Sequence, residues 1–185
     1  MVLGYLCISL ADNSFRILHS CVFGDDTIDD DAQRYARKVN LRSVASRVQS
    51  EYSFRISCKL KEEYGTDDSK GSGLIEKGYF KLFAGEPFPV DSIVVWLVSG
   101  QQCGHALVCL TDENNLLADN VLQVIAKATH DNILRDNSLA EILLKPERMA
   151  AIVHQFLPNG QLLFMNHKLV KQYEKQLDSI LAAKH

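Results

Sequence analysis

Catalysis and metal binding need nucleophiles, imidazoles or acids at usable spacing, and the densest such group in this chain is Cys103, His105 and Cys109. In an extended segment residues two apart share a face, so Cys103 and His105 are expected to point the same way. Two ligands do not close a zinc site, and the spacing matches neither a C-x-x-C pair nor a Cys…His finger. The expectation is no metal, with small side chains packing in a sheet. Cysteine–histidine catalysis asks for a thiol beside an imidazole that a third polar group orients. Cys103, His105 and Asp112 supply those types, yet His19, His130, His154 and His167 are equally available and no local signature selects a set. A small Cys/His enzyme is therefore the minor alternative, and no catalytic residue is assigned.

Other chemistries fare no better. Gly71-Ser72-Gly73 lies between a helical and a strand pattern, and it fits neither glycine-rich phosphate motif. Asp29-Asp30-Asp31 has charge but lacks the alternating acids of a calcium loop, and it suits a solvated helix N-terminus. No cofactor is expected.

The elements that would position these residues follow from periodicity. Val2–Leu10 and Phe15–Phe23 read as two strands joined by the turn residues Ala11-Asp12-Asn13-Ser14, an antiparallel hairpin. From about Asp31 to Lys61 the period becomes helical, with Leu41, Val44, Val48, Tyr52, Ile56 and Leu60 on one face. A glycine- and acid-rich loop around 65–73 follows. Three more strands are predicted at Gly78–Phe83, Ser92–Val98 and Gly104–Leu110. The middle one has no polar face, which asks for cover on both sides of the sheet.

The rest reads as helices. Leu116–Leu134 is one, and Ser138-Leu139-Ala140-Glu141 matches a capping box. Pro146 suits a helix start, with Met149, Ile152, Val153 and Phe156 at 3-4 spacing. Pro158-Asn159-Gly160 stops it, Gln161–Met165 crosses as an extended apolar piece, and Asn166 caps a final amphipathic helix through Leu169, Tyr173, Leu177 and Leu181. The predicted fold is α+β, a five-stranded antiparallel sheet sandwiched between the long first helix and the C-terminal helices, as one domain over residues 1–185.

Composition narrows the classes. The chain has 185 residues, 46% hydrophobic and 23% charged, with net charge −3. No basic stripe marks a nucleic-acid surface. No apolar run approaches the ~20 residues of a membrane-spanning helix, and Met1–Leu10 lacks the basic flank of a signal peptide. Five cysteines, an odd number lying mostly in apolar stretches, read as free buried thiols in a reducing compartment. A cytoplasmic location is expected.

The β-β-α-β-β-β-α order, with Ile17–Gly24, Val94-Val95-Trp96-Leu97, Asp112–Leu117 and above all Phe156–Asn166, resembles longin-like domains. Among these the chain is similar to the sigma small subunits of vesicle adaptor complexes, most of all those of the fifth adaptor protein complex, over about Val2 to Leu177. The resemblance implies a non-catalytic subunit of a heterotetramer. It implies direct contact with a zeta large subunit, beta-type and mu-type subunits in the same complex, and spatacsin and spastizin bound through it. It further implies peripheral attachment to late endosomes and lysosomes and a part in retrieval toward the Golgi. Another longin-like role, in a tethering complex or as a small-GTPase regulator, is the runner-up. The candidate subunit interface is the helix face through Val44, Val48 and Tyr52, together with Leu162, Leu163 and Phe164 of the crossing segment. No residue is assigned to sorting-signal binding.

Overall fold

The computed structural model describes residues 1–11, 14–24, 31–62, 75–85, 88–99, 102–134 and 138–182, with backbone alone for 31–34 and 60–62. The acids Asp29 and Asp30, the Gly71–Gly73 loop and the Leu60 side chain lie outside this set. The chain runs β1 (Val2–Ser9), β2 (Arg16–Val22), α1 (Asp31–Glu62), β3 (Glu76–Leu82), β4 (Ser92–Ser99), β5 (Cys103–Leu110), α2 (Asn115–Asn132), α3 (Ala140–Leu144), α4 (Pro146–Phe156) and α5 (His167–Ala182). The sheet order is β2-β1-β5-β4-β3, and every neighbouring pair is antiparallel.

Alternation within the central strands feeds two cores. Ile93, Val95 and Leu97 of β4 join Tyr5, Cys7 and Leu107 beneath α2, α4 and α5, against Val121, Ile125, Ile152, Phe156 and Leu177. Val94, Trp96 and Val98 face the other way, with Leu6, Ile8, Ala106 and Val108, against Leu41, Val44, Ala45 and Val48 of α1. An apolar run like β4 is more often found in parallel sheets. Here helices cover both faces of an antiparallel one, and the same burial demand is met.

The long helix is held on its side of the sheet partly by arginines. The Arg42, Arg47 and Arg55 guanidiniums lie 5.9, 5.0 and 5.0 Å from the ring centres of Phe15, Phe80 and Trp96. Each such contact contributes about 0.5–2 kcal/mol, depending on how dry it is. Arg55 also donates to the Lys77 carbonyl at 2.6 Å, and Lys59 pairs with the buried Glu76. Gly78, opposite Trp96 in the register, leaves room for Arg55, since a Cβ there would sit 2.5 Å from Nη2.

The C-terminal third matches the expected helices with one correction. The capping box at Ser138 does not form: α3 begins at Ala140 behind Leu139, which is itself helical and makes no side-chain cap bond. Glu141 lies largely buried and pairs with Lys145 one turn on. Asn166 does cap α5, accepting from the Leu169 amide at 2.9 Å. Residues 161–165 cross as extended chain outside the sheet, with Leu162 and Met165 packed on the α2–α4–α5 core.

Candidate functional site

The sheet pairing brings a polar cluster to its centre. Cys7 on β1 stands directly across from His105 on β5, and Cys103 lies two residues along β5. All three are fully buried. The Cys7 and Cys103 sulfurs are 3.8 Å apart, Cys103 Sγ lies 3.5 Å from His105 Nε2, and the Tyr5 hydroxyl sits 2.8 Å from His105 Nδ1. The sequence singled out Cys103 and His105 as a pair on one face. The fold adds Cys7, separated from Cys103 by 96 positions, and no local spacing could have signalled it. Cys109, grouped with them in sequence, belongs to the same core but not to this cluster. Asp112 lies beyond the end of β5.

The electrostatics of the cluster are asymmetric. The contact with Cys7 holds the Cys103 thiol well below its ordinary value, with the His105 imidazole helping and burial opposing. The same contact pushes Cys7 well above. Burial drives the Tyr5 phenol up, raises Cys21 to about 11 and raises Cys109 to about 12. Of the two facing thiols Cys103 is the one favoured to ionise, but with no surface exposed it meets no substrate in this conformation.

The candidate interface residues separate into two groups. Val44 and Val48 are fully buried against the sheet and present no surface to a partner. They are corrected to core: an apolar helical stripe looks alike whether its own sheet or another chain covers it. Tyr52 is half-buried beside that core. Leu162 and Leu163 are half-buried, while Phe164 is 79% exposed. The helix carries other outward groups that periodicity did not flag: Tyr35 is 71% and Phe54 66% exposed. Ser43, Ser46 and Ser50 leave a shallow trough along α1 that ends at Phe54. A separate apolar hollow of about 190 Å³ lies between β1, β2 and α1, lined by Leu3, Val22, Leu41, Phe88 and Val90 and edged by Arg37.

Comparison with known proteins decides the family. The profile of the AP-5 complex subunit sigma-1 family matches residues 1–178. The chain belongs to the AP-5 sigma-1 family. It is 31% identical over 182 residues to the human AP-5 complex subunit sigma-1, covering 89% of this chain and 88% of the human protein. It is 33% identical over 136 residues to the mouse AP-5 complex subunit sigma-1, covering 64% of this chain and 76% of that one. The α+β arrangement of a five-stranded antiparallel sheet between helices is the longin-like layout expected of an AP-5 sigma chain. Among the described residues no helix is long and apolar enough to cross a membrane.

Proposed function

We propose that this chain is the small, non-catalytic subunit of a heterotetrameric adaptor complex and folds as one longin-like unit. The carrying observation is the family match across residues 1–178. We further assign it a zeta-type large subunit as direct partner, with beta-type and mu-type chains completing the complex and spatacsin and spastizin bound through it. Its place is the cytoplasmic surface of late endosomes and lysosomes, in retrieval of cargo toward the Golgi, with membrane contact supplied by partners.

Two surfaces fit docking to the large subunit. One is the outer side of α1, where Tyr35 and Phe54 stand exposed and Tyr52 lies at the edge of the core. The other is the crossing segment, where Leu162 packs on the core, Leu163 is half-buried and Phe164 stands exposed. Aromatic groups are enriched at the centres of protein interfaces, and an obligate interface commonly buries more than about 2,000 Å².

The test is co-expression of the tagged chain with the zeta-type, beta-type and mu-type subunits, followed by size-exclusion chromatography. Co-elution as one stoichiometric complex supports the reading. A well-behaved monomer that ignores all three overturns it in favour of another longin-like trafficking role.

A further inference from the structure

The buried cluster on β1 and β5 has no part in docking, because none of its atoms reaches the surface. We propose that Cys7, Cys103 and His105 bind a zinc ion within the sheet. A tetrahedral zinc with Zn–S near 2.3 Å and Zn–N near 2.0–2.1 Å sets a sulfur–sulfur edge of about 3.8 Å and a sulfur–nitrogen edge of about 3.5 Å. The observed edges are 3.8 Å for Cys7–Cys103 and 3.5 Å for Cys103–His105 Nε2. Two packed thiols also meet near the first distance, so the sulfur pair alone carries nothing. The imidazole nitrogen beside the pair makes it a site, for the three ligand atoms all lie within 4.8 Å of one another.

Two further features agree. Metal-binding histidines use one ring nitrogen and anchor the other. Tyr5 holds His105 Nδ1 at 2.8 Å and leaves Nε2 to face the Cys103 sulfur. Charge also balances: two thiolates cancel the 2+ of zinc, and a neutral imidazole adds nothing, so the loaded centre carries no net charge into an apolar core. Binding releases the two thiol protons to solvent. Cys7 is flanked on its other side by His19 of β2, directly opposite in the register and half-buried. It is a neighbour of the cluster across β1 and not one of its three ligands.

A disulfide fits the same pair less well. Cys103 is the diagonal neighbour of Cys7, because His105 takes the opposed position. Diagonal partners on a sheet have α-carbons about 7–8 Å apart, beyond the usual disulfide span of about 4.4–6.8 Å. A bridging ion accepts the wider separation.

The experiment uses the tag-free full-length chain, alone or within the co-expressed complex, under reducing conditions. Elemental mass spectrometry should find one zinc per chain. Replacing that zinc with cobalt(II) should give the thiolate-to-metal charge-transfer band and ligand-field bands of a tetrahedral thiolate site. Cys103→Ser should lose the metal, while Cys58→Ser, at an exposed thiol, should keep it. Should Cys103→Ser fail to fold, the cobalt spectrum of the wild-type chain decides alone. A folded, fully reduced wild-type chain with neither zinc nor a cobalt-thiolate spectrum overturns the proposal. So does full zinc retention in Cys103→Ser, which places the ion elsewhere.

Discussion

Single residues carry more of this fold than their size suggests, and two can be weighed against each other. Asn114 caps α2, its Oδ1 accepting from the Leu116 and Leu117 amides at 3.0 and 3.1 Å. Asn114→Ala should cost about 1 kcal/mol. Ser138 offers the residue type of a cap but makes no such bond, so Ser138→Ala should stay within about 0.5 kcal/mol. Urea midpoints of the two variants, measured at unchanged slope, check both. Gly160 is a sharper case. Its φ is 73°, and a Cβ there would lie 2.7 Å from both the Val2 carbonyl oxygen and the Phe23 Cβ. The left-handed backbone costs a non-glycine residue about 1–2 kcal/mol, and overpacking adds about 1–3. Gly160→Ala should therefore lose about 2–5 kcal/mol in the same titration, or fail to accumulate as folded protein.

At the level of elements, α1 is where its own packing and a partner's demands compete. Its buried stripe is short, and arginine–aromatic contacts do part of the holding. Val48→Asp should unfold the chain by placing an unpaired charge in the core. Phe54→Ser, two-thirds exposed before the change, should leave thermal unfolding almost unmoved yet weaken co-elution with the large subunit. Phe164→Ser should behave like Phe54→Ser. Co-elution as tight as wild type for both would strike these aromatics from the interface. The strands and long helix were readable because periods of two and of 3.6 leave plain marks in the sequence. The α3 start was not, because a cap is decided by local backbone geometry, and here the residue before the helix is Leu139, itself in helical conformation. Periodicity located an apolar face at Val44 and Val48 but carried no information about which surface covers it. Cys7 was invisible beside Cys103 and His105, since only the β1–β5 pairing puts them together.

For the whole molecule, the net charge of −3 and the aromatic character of the outward groups make a prediction about the assembled complex. Exposed charge pairs weaken as the Debye length falls from ~8 Å at physiological salt to ~3 Å at 1 M, whereas apolar docking does not. A complex formed through Tyr35, Phe54 and Phe164 should survive chromatography in about 1 M sodium chloride, conditions in which charge-driven docking is screened out. Dissociation there would assign the docking to charged groups instead. The sheet order carries a consequence for biosynthesis. β1 precedes the other four strands of the sheet in the chain, yet it lies inside the sheet, and its second neighbour is β5. At about 5–20 residues per second, the roughly one hundred residues between them take on the order of 5–20 s to emerge. Throughout that interval the nascent hairpin of β1 and β2 presents Tyr5 and Cys7 on one side and Leu6 and Ile8 on the other, with one edge unpaired. On the ribosome, residues 2–22 are therefore a sticky intermediate that a holding chaperone must shield until Leu110 has been translated.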